Sequence, residues 1–202
     1  MKDTTANFKI NNGVLTKYTG KAENLILPDT ITKIEKGVFH CCENIKTIEF
    51  PKYLVCIAEQ AFYGCENIRE VVFPQNLEYI GECAFGYCSM LKNAVFSENI
   101  SHIGKEAFLF CTSLKEVKLK GIMTHLEDST FEGCCMLETI EIPDNILSIG
   151  VDVFAGCDDL KTVYCKKGSI TDYYMQFALH DKVTVKYTGI SKNPISLKQF
   201  LK

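Results

Sequence analysis

The sequence lacks an excess of charge of either sign. Its 202 residues include 22 Lys and Arg against 25 Asp and Glu, a formal net charge of -3. Without a basic surplus, the chain has no strong electrostatic preference for nucleic acid. It also lacks any apolar run approaching the roughly 18 residues that a transmembrane helix requires. We therefore expect neither a nucleic-acid partner nor membrane insertion.

The first residues lack the features of a secretory leader. Residues 1–7 contain no apolar core and no cleavage site of small residues. If Met1 is the natural start, we expect a cytoplasmic protein. If the natural chain begins upstream, a secreted or cell-surface location is the alternative.

Motifs that carry chemistry are missing as well. The sequence has no glycine-rich phosphate loop, no nucleophile elbow and no HExxH zinc motif. The four histidines form no cluster, and His40 beside Cys41 is the nearest Cys–His pair, although adjacency does not orient a base toward a thiol. We therefore predict no catalytic residue, no cofactor and no metal ligand, so the chain is not expected to be an enzyme.

What the sequence does contain is a repeat of 23 residues. Phenylalanine recurs at that interval six times without a slip, at Phe39, Phe62, Phe85, Phe108, Phe131 and Phe154. Cysteine follows each of them by three residues, at Cys42, Cys65, Cys88, Cys111, Cys134 and Cys157. A fixed period of this length is typical of a solenoid, in which each repeat packs only against its neighbours.

Four apolar columns share the same register. They are Ile34, Ile57, Ile80, Ile103, Leu126, Ile149; Ile45, Ile68, Leu91, Leu114, Leu137, Leu160; Ile48, Val71, Ala94, Val117, Ile140, Val163; and Phe50, Phe73, Phe96, Leu119, Ile142, Cys165. The last two columns alternate with polar residues, the period-two pattern of a half-buried strand. Each repeat is therefore predicted to place one strand in a parallel sheet with strands about 4.8 Å apart.

The cysteine column is predicted to be structural. A buried thiol is a small, weak donor that can satisfy a loop carbonyl within the coil. Parallel side chains hold the Cβ atoms of neighbouring cysteines near 4.8 Å, too far for the roughly 3.8 Å of a disulfide. No Cys-x-x-Cys pair occurs, which argues against zinc. We expect neither disulfides nor a metal site in this column.

The repeat resembles the BspA-like, or Treponema pallidum type, leucine-rich repeats over about residues 22–165. The segments that carry the resemblance include AFYGCENI at 61–68 and IPDNI at 142–146. Ser97 and Lys120 depart from it, because they stand where Pro51 and Pro74 end earlier strands. The resemblance implies an α/β to mainly β fold: a right-handed leucine-rich-repeat solenoid, arched like a horseshoe, of about six to seven coils.

The ends of a solenoid expose apolar layers that need caps. Residues 1–21 are predicted to form a β-hairpin cap, because Asn12-Gly13 lies between two apolar runs. Repeats then occupy 22–165, and a C-terminal cap of a short helix and a strand occupies 166–188. In that helix Ser169 is predicted as the N-cap, with Tyr173, Tyr174 and Phe177 buried. Residues 189–202 are predicted to form a tail with a short amphipathic helix at 196–202.

The remaining candidate site is the outer face of the strand sheet, where residues flanking the buried position of each strand point to solvent. Val72 and Val95 are predicted to be neighbours there, as an exposed apolar spot flanked by charge. The partner-binding candidates are Glu49, Glu70, Val72, Asn93, Val95, Glu116, Lys118, Glu141 and Tyr164. We predict a non-catalytic scaffold for a protein partner. A microbial cell-surface adhesin or carbohydrate-recognition module is the alternative.

Overall fold

The computed structural model describes residues 7–178, 183–192 and 194–195. It is a solenoid of about eight turns, built mostly from short strands, with one helix. The elements in chain order are β1 Phe8–Asn11, β2 Val14–Tyr18, β3 Asn24–Ile26, β4 Lys33–Ile34, β5 Thr47–Glu49, β6 Cys56–Ile57, β7 Glu70–Val72, β8 Tyr79–Ile80, β9 Asn93–Val95, β10 His102–Ile103, β11 Glu116–Lys118, β12 His125–Leu126, β13 Thr139–Glu141, β14 Ser148–Ile149, β15 Thr162–Lys167, α1 Ile170–Ala178 and β16 Thr184–Ile190.

One side of the solenoid is a parallel sheet of eight strands in the order β16-β15-β13-β11-β9-β7-β5-β3. From β3 to β15 its register advances by 23 residues per strand, so that Val117 lies opposite both Ala94 and Ile140. In the central strands the middle residue is buried and its two neighbours are exposed, because side chains alternate across a strand. This is the predicted leucine-rich-repeat sheet.

The second side consists of two-residue strands. A sheet of order β1-β2-β4-β6-β8-β10 continues from the N-terminal hairpin, and β12-β14 form a separate parallel pair. In β4, β6, β8, β10 and β12 the second residue of each strand is buried. The two sheets therefore close the apolar interior between them.

The third side of each coil is a bend, and backbone hydrogen bonds join it to the bends of the neighbouring coils. The N–H of Phe62 donates to the carbonyl of Ala84 at 2.8 Å, and equivalent bonds join the other coils. At the outer bend Gly64 has a φ of 70°, while Tyr87 and Phe110 take 59° and 53° at the same repeat position. This left-handed region favours glycine, so each of these aromatic residues costs on the order of 1 kcal/mol in backbone strain.

The phenylalanine column forms the centre of the core. Adjacent rings stack at centroid distances from 4.7 Å, for Phe39 on Phe62, to 6.2 Å, for Phe131 on Phe154. Tyr18 closes the column at its N-terminal end at 5.0 Å, and the edge of Tyr174 closes the other end at 6.4 Å. The predicted alignment of the phenylalanines is therefore confirmed.

Four of the six column cysteines, Cys65, Cys88, Cys111 and Cys134, are buried, and Cys42 and Cys157 at the ends of the column are partly buried. Cys65 Sγ donates to the carbonyl of Phe39 at 3.0 Å, and Cys111 Sγ donates to that of Phe85 at 3.2 Å. Cys88, Cys134 and Cys157 repeat this contact. The carbonyl acceptor was predicted within the same coil, but it belongs to the phenylalanine of the preceding coil. All eleven cysteines are free thiols.

The N-terminal hairpin covers the first coil. β1 and β2 are antiparallel, with Phe8 opposite Tyr18, and Asn12 and Gly13 form the turn with positive φ. The ring of Phe8 stacks on Tyr18 at 5.3 Å, which extends the aromatic column outward by one layer.

At the C-terminus, α1 is capped by Ser169 Oγ, which accepts a hydrogen bond from the N–H of Asp172 at 3.2 Å. The prediction that Phe177 is buried was wrong, because its side chain is 54% exposed. The helix turns Asp172 and Met175 inward instead. Asp172 fixes this rotation by accepting bonds from the N–H of Gly168 and the hydroxyl of Tyr187. Tyr173 and Tyr174 are half-buried.

Strand β16 returns beside β15 as a parallel eighth strand. It continues to Ile190, and β15 extends to Lys167, so both strands run past the predicted boundaries at 188 and 165. The amphipathic helix predicted at 196–202 lies outside the described residues. Within the described part of the chain, no helix has the length and apolarity needed to cross a bilayer.

Candidate functional site

Two rows of side chains cover the outer face of the eight-stranded sheet. The first outer row contains Asn24, Thr47, Glu70, Asn93, Glu116, Thr139 and Thr162, and the second outer row contains Ile26, Glu49, Val72, Val95, Lys118, Glu141 and Tyr164. The rows are exposed from β3 to β11, and half-buried in β13 and β15. All nine candidate residues predicted from the sequence lie in these two rows.

Val72 and Val95 lie directly opposite each other on β7 and β9. Their side chains are 55% and 51% exposed. Lys118 follows Val95 on the next strand. The pair is therefore a small apolar area within a polar face, of the kind that marks interaction sites when it is rimmed by polar groups.

A depression of about 330 Å³ lies over β9. Asn93 and Val95 line it with their exposed side chains, and the buried residues Ala94 and Phe96 also border it. Longer side chains from the flanking coils form its walls, namely Glu70, Glu116, Lys118 and Lys120. The depression thus brings together five of the nine candidates, and Glu49, Val72, Glu141 and Tyr164 lie outside its lining.

Sequence reasoning did not single out Ala94, Phe96 or Lys120 as part of this site. Ala94 stands in a column that is otherwise Ile or Val, and Lys120 replaces the proline of earlier coils. Both exceptions to the repeat were visible in the sequence. Lys120 was a signal for the site, because it places a long cationic side chain at the depression, whereas Ala94 is buried and belongs to the inner column.

Charges in the depression are only partly compensated. Lys118 Nζ lies 2.8 Å from Glu116 Oε1, and this hydrogen bond raises the pKa of Lys118. Among the described residues, neither Glu49 nor Glu70 has a cationic group within 4 Å. One glutamate of the depression is therefore paired internally, while the other faces solvent.

A stripe of cations borders the first outer row. Arg69, Lys92 and Lys115 occupy equivalent positions, and the N–H of each donates to the carbonyl of its predecessor in the stripe, beginning at Lys46. Lys46 pairs with Glu23 at 2.8 Å, which lowers the pKa of that carboxyl group. Adjacent like charges in register repel one another, so this stripe does not stabilise the sheet.

Two other parts of the described surface contain His40 and Cys56. His40 is the histidine that precedes a cysteine in the sequence, and its ring stacks on Tyr63 at a centroid distance of 5.2 Å. A depression of about 540 Å³ on the opposite sheet is lined by Lys33, Cys56 and Tyr79 among others. Burial raises the pKa of the Cys56 thiol, so it is a poor nucleophile. Over the described residues, no group of three or more His, Cys, Asp or Glu is placed to hold a metal ion.

Comparison with solved structures identifies similar solenoids. A leucine-rich repeat protein from Bacteroides ovatus is 30% identical with a TM-score of 0.69, over 82% of this chain and 42% of that protein. This chain therefore spans less than half of that relative. The leucine-rich repeat protein of T. pallidum is 26% identical with a TM-score of 0.66, over 79% of this chain and 91% of that one.

A leucine-rich repeat protein from Eubacterium ventriosum shares the fold, at 22% identity and a TM-score of 0.58, over 72% of this chain and 46% of that protein. No curated protein matches the sequence. The family model for the BspA type leucine rich repeat region matches six copies, over residues 9–136 and 91–194. These matches cover most of the chain, which therefore belongs to the BspA-type leucine-rich-repeat family.

Proposed function

We propose that the chain is a non-catalytic scaffold that binds a protein partner on the two outer rows of its eight-stranded sheet. The observation that carries this proposal is the depression over β9, which adjoins the exposed pair Val72 and Val95. Proteins built from leucine-rich repeats are typically binding scaffolds. The family therefore supports the general role, and the depression supports the position that we propose for the site.

The face suits binding because it is already ordered. Every strand from β3 to β16 is paired with its neighbours, so little backbone entropy is lost when a partner docks. Covering the exposed halves of Val72 and Val95 contributes about 1 kcal/mol each. Asn93 and Glu70 add groups that form directional hydrogen bonds.

A protein partner fits the face better than a carbohydrate does. Sugars bind to flat, accessible aromatic faces, and Tyr164 is the aromatic residue of the two outer rows. Its ring is half-buried, and Lys186 Nζ lies over it at 5.6 Å. The ring face is therefore already covered.

The proposal is tested by affinity capture from lysate of the organism that encodes the chain. Wild type is compared with the double variant Val72→Glu, Val95→Glu, which should lose the partner because two carboxylates would be desolvated at the interface. A matched control is Val55→Glu, Val151→Glu, which introduces the same charges at exposed valines away from the outer rows. Equal capture by wild type and the outer-row variant would place the binding site elsewhere.

A further inference from the structure

The two glutamates of the depression flank a single amide. Glu70 and Glu116 lie on either side of Asn93 in the first outer row, each paired with it in register. With strands about 4.8 Å apart, their Cα atoms are separated by about 9.6 Å. A group seated over Asn93 is therefore about equally far from both carboxylates.

The depression already accommodates one cation from its own wall. Lys118 holds Glu116 at 2.8 Å, and both side chains remain more than half exposed. Glu70 has no cationic group within 4 Å in the described part of the chain. An incoming cation thus gains a free carboxylate at Glu70 and competes with Lys118 for Glu116.

A guanidinium group matches this geometry. It carries five N–H donors along the edges of a flat fork, so that it reaches carboxylates on two sides and an amide oxygen between them. Its aliphatic stem can lie on the exposed side chain of Val95, as long cationic side chains do on apolar surfaces. A compact ammonium group satisfies fewer of these acceptors at once.

The cations around the depression disfavour a partner segment that contains several basic residues. Arg69, Lys92 and Lys115 border the first outer row on one side, and Lys120 stands at the other end of the depression. These cations repel any further basic residue of the partner. We propose that the depression binds one arginine side chain of the partner, in a segment that is otherwise neutral or acidic. The inference rests on the outer rows being the partner site.

The experiment is an NMR titration of the ¹⁵N-labelled full chain with short peptides. The probe is acetyl-Gly-Val-Arg-Val-Gly-amide, and its control carries citrulline, the neutral analogue, in place of arginine. The arginine peptide should shift the side-chain amide of Asn93 and the backbone amides of Val72 and Val95. The citrulline peptide should bind at least about fivefold more weakly, because it makes no charge-assisted bond. Hexa-arginine should show no increase in affinity over the single arginine.

Variants assign the effect to individual groups. Glu70→Gln and Glu116→Gln should each weaken the arginine peptide by about threefold to fivefold, the value of an exposed ion pair. Lys118→Met should strengthen it, because it removes the internal competitor. The matched controls Glu78→Gln and Lys33→Met, exposed on the opposite sheet, should leave binding unchanged. Thermal unfolding of each variant checks that the fold is retained.

Equal binding of the arginine and citrulline peptides would overturn the proposal, as would weaker binding by Lys118→Met. A response of Glu78→Gln as large as that of Glu70→Gln would overturn it too, because the attraction would then be non-specific. These results are separable from the function proposed above. If partner capture depends on the valine pair while the peptides do not discriminate, the arginine site fails and the scaffold stands. If the peptides discriminate while capture is insensitive to the valines, the depression binds arginine but the valine pair is not part of the partner site.

Discussion

Replacing the phenylalanine at the centre of the ring column tests how coils stabilise one another. Phe85 is fully buried, stacks on Phe62 at 5.1 Å and Phe108 at 5.6 Å, and meets Phe73 edge-on at 5.4 Å. Phe85→Ala removes apolar surface and leaves a cavity between two coils that cannot collapse without breaking their hydrogen bonds. We expect the free energy of unfolding to fall by about 3–5 kcal/mol.

The same substitution at the end of the column should cost less. Phe154 is 5% exposed, and its ring neighbours lie farther away, at 6.2 and 6.4 Å. We expect Phe154→Ala to cost about 2–3 kcal/mol, because fewer close contacts are lost. The assay is urea unfolding followed by circular dichroism, with Phe110→Ala, a ring 38% exposed, as the surface control. A cost for Phe85→Ala no larger than that for Phe154→Ala would refute coupling between neighbouring coils as the source of stability.

Three further predictions concern the cysteine column and the outer bend. Cys111→Ala removes the thiol that donates to the carbonyl of Phe85, which keeps its bond from the N–H of Cys88, so thermal unfolding should show a loss of about 0.5–1.5 kcal/mol, whereas Cys111→Ser keeps a donor and should lose less. Burial raises the pKa of Cys65 and Cys157 from 9.0 to about 12, so their contribution to stability is complete below pH 9 and declines as the pH rises toward 12. Serine at both positions should therefore flatten the fall in the urea midpoint between pH 9 and 11, and an unchanged slope would count against this. Gly133→Ala should lower the melting temperature, because a Cβ there would clash with the ring of Phe110 and φ is 71°; in a Phe110→Ala background only the backbone strain should remain, so equal losses in both backgrounds would contradict the contact.

The fold was predictable because every coil repeats the same contacts. A column such as Phe39 to Phe154 fixes which residues stack, and the alternation around Val71 or Val117 fixes which face of a strand is buried. Once the contacts of one coil are predicted correctly, the same contacts follow for the other coils. The side-by-side position of Val72 and Val95 followed from the same register.

What the sequence did not reveal depends on contacts outside the repeat. The rotation of α1 is fixed by bonds between Asp172 and groups before and after the helix, so periodicity alone predicted burial of Phe177 incorrectly. The carbonyl that accepts the thiol hydrogen bond was assigned to the wrong coil, because residue type alone does not determine where the carbonyl groups of a bend point. The depression is lined by residues of β7, β9 and β11 together with Phe96 and Lys120, so it exists only when three coils are assembled. The binding role of the nine candidates stays a prediction.

The hydrogen bonds on all three sides of the coil limit how such a chain can change its length. One extra residue in a coil would displace donors from acceptors along the sheet, the short strands and the bend together. Loss of 23 consecutive residues, in contrast, would join two layers that already fit each other. Lengthening or shortening of this protein is thus confined to whole turns, and each turn added extends the surface available to a partner by about 4.8 Å.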